Sequence, residues 1–386
     1  MKICHIITRL VIGGAQENTI FTVEGLKKKG YNVDLVSGKT KGPEGSLENE
    51  VRNKNISLII IPQLIRNLNP FYDIIAFIKI FKVLKKNKYD IIHTHSGKAG
   101  VLGRMAGKLS NRKTTVIHTI HGPSFYPNQK KFAYLFYKIT EKIAGKFTDH
   151  FICVGEIMKE RYLKNGIGKE NQYSVIYSGF PITPYIEVQN KREYLRKKLG
   201  IDKDEKVIGM IGRLFPLKGQ EYLLSAFSML VNNFSNIKLI FVGDGILKEK
   251  LKNIAKEKGI EKKVIFTGLV PPEKIPEYVS VIDIVVHTSL REGLPKAVAQ
   301  ALAGGKPVVS FNVDGAKEIV IDGQTGFLVK SKDINKLVEK IKILLENPEI
   351  AEKMGKVGRE KILSMFSVDK MVDEIEKIYL NYKNGK

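Results

Sequence analysis

The chain has 386 residues, 43% hydrophobic and 27% charged, which is too long for one ordinary core and describes a soluble globular protein of two domains. No apolar run reaches the roughly 18–20 residues of a membrane-spanning helix, so no such helix is expected. Sixty-four Lys and Arg against 40 Asp and Glu give a net charge of +24, a field that favours anionic partners: nucleotide-sugars, nucleic acid or an acidic membrane surface. The basic residues are dispersed and form no nucleic-acid-binding motif, so nucleic acid is not expected. Part of the excess sits at helix ends, as in Lys27-Lys28-Lys29, where it complements the dipole.

Taken in order, the first half predicts strands over Lys2–Thr8, Asn32–Ser37, Ser57–Ile61, Asp90–His93, Thr114–Ile120, His150–Val154 and Ser174–Tyr177. Amphipathic helices lie between them, among them Gln16–Lys29, Phe71–Lys86 and Lys130–Lys146. Met1 to Leu10 runs into Gly13-Gly14 without a cleavage-site pattern and reads as a first strand, not a signal peptide. Cys4 and Cys153, both in apolar runs, read as buried thiols of a cytoplasmic protein. Turn formers in Ser178-Gly179-Phe180-Pro181-Ile182-Thr183-Pro184 interrupt the pattern before a basic helix, Lys191–Leu199. A second series follows over Val207–Ile211, Lys238–Val242, Val264–Thr267, Ile282–Val286 and Pro307–Ser310. Such β-α alternation predicts two Rossmann-like, doubly wound parallel sheets, with ligand bound between them at the carboxyl ends of the strands. The expected domains are 1–180 and 181–365, with 366–386 as a terminal helix. Helices are predicted over Asp333–Glu346, Pro348–Met365 and Val368–Tyr382.

Several segments carry chemistry. Gly13-Gly14-Ala15-Gln16 opens the first helix, and its glycines let backbone N–H groups approach an anion, although such a pair also serves as a plain tight turn. His93-Thr94-His95 ends a strand, and alternation puts both rings on one face, the geometry of a metal pair. No nearby Asp, Glu or Cys completes a ligand set, so one ring reads as a substrate-facing group and the other as a satisfied core histidine. His121, in Thr119-Ile120-His121-Gly122, ends the next strand. In Gly212-Arg213-Leu214-Phe215-Pro216-Leu217-Lys218-Gly219, an Arg fork and a Lys point charge share one loop and can clamp a diphosphate. Gly243-Asp244-Gly245 and Thr267-Gly268-Leu269-Val270 end two further strands.

The most informative stretch is Ser289 to Pro307. Pro295 suits a first helical position and Gly304-Gly305 a stop. The helix therefore begins just after Glu292-Gly293, and its free N–H groups attract phosphate. Glu292 at that mouth must serve something other than the phosphate, and accepting sugar or ribose hydroxyls is the natural role. Gln300 lies further along the same helix.

These segments, in this order, resemble retaining glycosyltransferase family four, enzymes of the GT-B fold whose two Rossmann-like domains face a central cleft. The resemblance covers nearly the whole chain, most strongly from Arg213 to Val329, and includes Asp314-Gly315-Ala316-Lys317-Glu318-Ile319-Val320 and Asp322-Gly323-Gln324-Thr325-Gly326. It implies that Arg213 and Lys218 neutralise the departing nucleotide, that Glu292 holds hydroxyls of the donor sugar, and that His121 lies near the sugar being transferred. It also implies a donor site lined by Gly13, Gly14, Gly212, Leu269, Val270, Gly293, Leu294, Pro295 and Gln300, an acceptor side carrying His95 and Gln16, and no metal or other cofactor. The loop Gly13-Gly14 lacks the lysine of starch and glycogen synthases, which argues against that subgroup. Gln300 stands where the second glutamate of the Glu-x7-Glu element is expected. A neutral acceptor contributes about 0.5–1.5 kcal/mol against roughly 1.5–3 for a charged one, so donor binding should be weakened or re-tuned without loss of the site.

The implied reaction is retaining transfer from a nucleoside-diphosphate sugar, with a UDP-sugar favoured, to a hydroxyl of a glycan or lipid-linked glycan in lipopolysaccharide or capsule synthesis. No carboxylate stands out as a covalent nucleophile, so same-face attack is expected. The aromatic and lysine stripes of Phe71–Lys86 and Lys130–Lys146 suit a core face, and equally a peripheral contact with the inner face of the cytoplasmic membrane. Two alternatives stay open: a catalytically impaired nucleotide-sugar-binding protein of GT-B shape, and a GT-B epimerase acting on a UDP-sugar.

Overall fold

The computed structural model describes residues 1–40, 45–126 and 129–384. The chain divides into two compact units, one of Met1–Phe180 with Ser367–Lys386, the other of Pro181–Phe366.

The first unit holds a seven-stranded parallel sheet: β1 (Lys2–Ile7), β2 (Asn32–Ser37), β3 (Ser57–Ile60), β4 (Ile91–His95), β5 (Thr115–Ile120), β6 (His150–Cys153) and β7 (Tyr173–Val175), in the order β3-β2-β1-β4-β5-β6-β7. The order reverses between β1 and β4, the place where doubly wound sheets open a crevice at their carboxyl ends. β4 is longer than its apolar run suggests, because His95 still pairs with Thr119 of β5. His93-Thr94-His95 is thus part of the sheet.

Alternation along the strands sends side chains to two separate cores. Ile3, Ile7, Ile91, Ile117 and Ile152 pack with the first helix, Gly14–Lys28, and the last, Val368–Asn384. Cys4, Ile6, Ile92 and Val116 pack with the helices Pro70–Asn87 and Gly97–Ser110. The last helix lies close against the first because Gly25 has no side chain: a Cβ there would meet Val372 at 2.6 Å. Lys29 adds an ion pair to Glu376 at 2.5 Å.

The first of these cores contains a row of polar residues. His5, His93, His95 and Thr119 stand on the same strand faces as Ile3, Ile91 and Ile117 and are all buried. Tyr379 of the last helix meets this row through its hydroxyl to His93, while Tyr382 reaches β6 beside it, its hydroxyl donating to the Asp149 carbonyl with His150 at 3.3 Å.

The second unit carries six parallel strands: β8 (Lys206–Ile211), β9 (Ile237–Val242), β10 (Val264–Phe266), β11 (Ile284–His287), β12 (Val308–Phe311) and β13 (Gly326–Val329), ordered β10-β9-β8-β11-β12-β13. β11 starts two residues later than its apolar run, since Ile282 caps the helix Ile275–Val281. β13 extends the sheet beyond the five strands read from sequence, pairing with β12 from Val308↔Gly326 to Phe311↔Val329.

Burial keeps the histidines of the first unit neutral. It holds His5 and His121 down at about 3 and His150 at about 4, and places His93, His95 and His118 well below the ordinary value. Folded values below unfolded ones mean that this stability is full above about pH 6.5 and is lost as pH falls toward 3, at about 1.4 kcal/mol per pH unit for each ring that stays neutral. Urea unfolding followed between about pH 7.5 and 5 should show a steep loss of stability; a flat profile over that window would contradict the burial of these rings.

Candidate active site

In the second unit, the loop leaving β8 is tied to the loop leaving β11. Gly219 adopts a left-handed φ of 73°, and a Cβ there would lie 2.1 Å from the Thr288 carbonyl. Thr288 Oγ1 donates to the Gly219 carbonyl at 2.8 Å and Leu290 N to the Leu217 carbonyl at 2.8 Å. Gln220 Nε2 donates to the Arg213 carbonyl at 2.9 Å, fixing the start of the same loop. Gly212 and Gly243 also have positive φ, and a Cβ on Gly243 would come 2.3 Å from the Gly212 carbonyl. Only glycine fits such approaches.

This stitching brings Lys218 to Glu292. Lys218 Nζ lies 2.6 Å from Glu292 Oε1, and His287 Nε2 lies 3.2 Å from the same oxygen. The backbone N–H of Glu292 donates to Asp314 Oδ2 at 2.8 Å. Burial alone would raise the Glu292 carboxyl, but Lys218 and then His287 hold it well below the usual carboxylate range. It is therefore ionised at neutral pH. The Arg213 guanidinium lies 5.3 Å from the centre of the Phe215 ring, a cation–π arrangement on the same loop.

Pro295 is the N-cap of the helix Lys296–Ala303 and not its first residue; its backbone is extended, at φ −74° and ψ 91°. Gly293 is held through its carbonyl by Gly315 N at 3.2 Å, and Gly305, at φ 69°, ends the helix turn as expected. Gln300 is buried in that helix. At the end of β10, Leu269 is exposed and Val270 buried, and Gly268 bridges to Gly243.

In the first unit, Gly13 is the N-cap of the helix Gly14–Lys28, in extended conformation, and a Cβ there would come 3.0 Å from Gln16 Oε1. His121 is partly exposed at the end of β5. The loop after it is anchored where Ser124 Oγ donates to Glu141 Oε1 at 3.0 Å, while Glu141 Oε2 pairs with the fully buried Arg104 at 2.7 Å. His95 is fully enclosed, bonded to His5 on one side and His121 on the other, so it meets a substrate only through His121. The sequence reading found no third ligand for the His-x-His pair; folding supplies one in His5, whose ring nitrogen lies within 4.8 Å of those of His93 and His95. Both nitrogens of each ring already have hydrogen-bonding neighbours.

Sequence reasoning missed His287, His5 and Tyr379. His287 ends an otherwise apolar strand and His5 interrupts the apolar run Ile3–Ile7, and that interruption was the available signal. Tyr379 carried none, because its partners are nearly three hundred residues away or more.

Residues 12–183 match the family described as Glycosyltransferase Family 4, and residues 191–361 match Glycosyl transferases group 1. The chain is 31% identical over 385 residues to the UDP-Gal:alpha-D-GlcNAc-diphosphoundecaprenol alpha-1,3-galactosyltransferase of Escherichia coli, covering 99% of this chain and 97% of that one. The chain belongs to glycosyltransferase family 4. It is also 28% identical to the capsular polysaccharide biosynthesis glycosyltransferase CapM of Staphylococcus aureus, over 92% of each chain. Among solved structures, Anabaena HepE in complex with UDP and glucose superposes with a TM-score of 0.84 at 22% identity, over 98% of this chain and 99% of that one. With its two parallel-sheet units, this family 4 chain has the GT-B fold.

Replacing Lys218 by Met would leave the partly buried Glu292 carboxylate with His287. Breaking a fully buried pair costs about 3–5 kcal/mol. Since these side chains are 25% and 14% exposed, a loss of roughly 1–2 kcal/mol is expected in denaturant unfolding. A change below experimental error would remove the structural part of this pair's role.

Proposed function

We propose that this protein is a retaining glycosyltransferase of cell-surface polysaccharide synthesis, moving a sugar from a UDP-sugar to a hydroxyl of a lipid-linked glycan. The observation that carries this reading is the Lys218–Glu292 pair, with Arg213 on the same loop: fixed cations for a diphosphate beside a carboxylate that stays ionised and can accept sugar hydroxyls. In this reading the second unit holds the donor, with Gly212, Leu269, Val270, Gly293, Leu294, Pro295 and Gln300 lining it. In the first unit, the family resemblance assigns Gly13 and Gly14 to the donor side and Gln16 and His121 to the acceptor side.

Within the second unit, charge growing on the leaving diphosphate is met by Arg213, Lys218 and the N-terminus of the helix Lys296–Ala303. This is electrostatic catalysis by groups already in place. These cations supply the positive charge that the reaction needs at the diphosphate, so the proposal includes no metal. Glu292 orients the sugar, and the acceptor hydroxyl attacks from the face that the nucleotide leaves, passing its proton to the departing phosphate oxygen. The E. coli relative, whose name specifies a UDP-galactose donor and a diphosphoundecaprenol-linked acceptor, supports the donor and acceptor classes. Gln300 favours a second reading, a nucleotide-sugar-binding protein with impaired turnover, because an amide replaces a charged acceptor of the donor.

A lipid-linked acceptor requires access to a membrane surface. No helix of the described residues is long and apolar enough to cross a membrane. The helix Pro70–Asn87 buries Ala76, Ile80 and Leu84 yet exposes Phe71, Ile74 and Ile78 on another stripe. The helix Lys131–Gly145 exposes Phe132, to 83%, with Leu135 and Ile139. Lysines flank both stripes, the pattern of helices that rest on anionic headgroups at the cytoplasmic face.

Three outcomes are expected. UDP should raise the melting temperature, and GDP and ADP should not; no response to any nucleotide in folded protein would favour the impaired-binding reading. Arg213→Ala should lower turnover by about a hundredfold or more, as for loss of one preorganised charge at a transition state, and unchanged turnover would remove Arg213 from the mechanism. Release of isomerised nucleotide-sugar without acceptor would point to an epimerase. Finally, the protein should sediment with vesicles containing anionic lipid at low salt and lose this on Phe71→Asp with Phe132→Asp; no sedimentation of the unaltered protein would end the docking proposal.

A further inference from the structure

The histidines beneath the last helix form one connected chain. Thr119 Oγ1 meets His93 Nε2 at 2.6 Å, and His93 Nδ1 meets the Tyr379 hydroxyl at 2.5 Å. That hydroxyl lies 3.4 Å from His5 Nε2. His5 Nδ1 meets His95 Nε2 at 2.9 Å, and His95 Nδ1 meets His121 Nε2 at 3.0 Å. Every ring is used in the same sense, Nε2 toward Thr119 and Nδ1 toward the open end.

A neutral imidazole has one N–H and one lone pair. If His93 donates at Nδ1, Tyr379 must pass its own proton on to His5 Nε2, so His5 donates at Nδ1, and so must His95. His121 then accepts at Nε2 and carries its proton at Nδ1. If the sense reverses, every proton sits on Nε2. Only these two patterns satisfy the whole chain, and in a buried setting each unmet polar group costs about 1–3 kcal/mol.

We propose that Thr119, His93, Tyr379, His5, His95 and His121 form a tautomer relay that forces the four histidines into one common tautomer. Tyr379, on the last helix, is thereby a positioning residue that sets whether Nδ1 of His121 donates or accepts. The relay transmits an orientation and moves no net proton. Burial supports it by keeping every ring uncharged at neutral pH. The proximity of His5, His93 and His95 has a second chemical reading, a three-histidine metal centre. The relay accounts for both nitrogens of each of those three rings, whereas a metal would need one lone pair from each directed at a common point. The consequence for catalysis rests on the proposed function, in which His121 meets substrate; the common tautomer does not.

The test uses the full chain with 15N-labelled histidine, and long-range proton–nitrogen correlations recorded at about pH 7.5, where the rings are neutral. His5, His93, His95 and His121 should report the same tautomer, all Nδ1–H or all Nε2–H. A mixture among the four in the unaltered protein would overturn the relay, and this arm needs no variant to fold. In Tyr379→Phe, checked for folding by its melting curve, the His121 nitrogens should shift toward a mixture of tautomers although residue 379 does not touch them; an unchanged His121 signal would also overturn the proposal. Zinc added alone should leave the spectrum unchanged, and shifts at His5, His93 and His95 would replace the relay with a metal centre. In a transfer assay, Tyr379→Phe should lower kcat about tenfold with the donor KM unchanged. A shared tautomer in a protein with no turnover at all would count against the proposed function and leave the relay standing.

Discussion

A parallel strand cannot return by a tight turn; each must be followed by a crossover, so all strands of a sheet deliver their loops to the same end. Both units of this protein follow from that constraint. In the second unit, the order β10-β9-β8-β11-β12-β13 makes β8 and β11 neighbours, and the loops leaving them, distant in sequence, become adjacent. Glycine then converts adjacency into contact. At Gly219 a left-handed backbone lets the chain pass within hydrogen-bonding distance of Thr288, a position that any side chain would block. The Lys218–Glu292 pair is a consequence of that approach, since its two members are 74 residues apart in the chain.

Much of this was legible in the sequence, for a physical reason. Strands buried on both faces tend to be apolar throughout, and a run such as Val207–Ile211 announces itself. Turn glycines and the Arg213…Lys218 spacing were equally readable because their chemistry is local. The resemblance placed Glu292 and Gln300. What escaped was whatever depends on a neighbour far away in the chain. β4 runs on to His95 because β5 pairs with it. β13 is four residues with a glycine at its start, too short to stand out until β12 pairs with it. Pro295 satisfies the rule for a first helical residue, yet the loop held by Gly315 leaves it extended, as a cap.

The histidines show the limit most clearly. Read one strand at a time, His93 and His95 form a pair without a third partner, and His5 is a lone polar intrusion into an apolar run. Parallel register brings them together: His5 pairs with His93 across β1 and β4, and His95 with Thr119 across β4 and β5. Tyr379, from the other end of the chain, then closes the row, and each member has meaning only through the next.

The two candidate centres handle charge in opposite ways. In the second unit, a carboxylate that burial would neutralise is kept ionised by a lysine and a histidine, so its charge is constant and available to a sugar hydroxyl. The lysine that keeps it ionised is also the cation assigned to the diphosphate. In the first unit, burial prevails: the rings are held neutral, and only the direction of their hydrogen bonds remains to be specified. One centre thus fixes a charge, and the other fixes the direction of uncharged donors and acceptors.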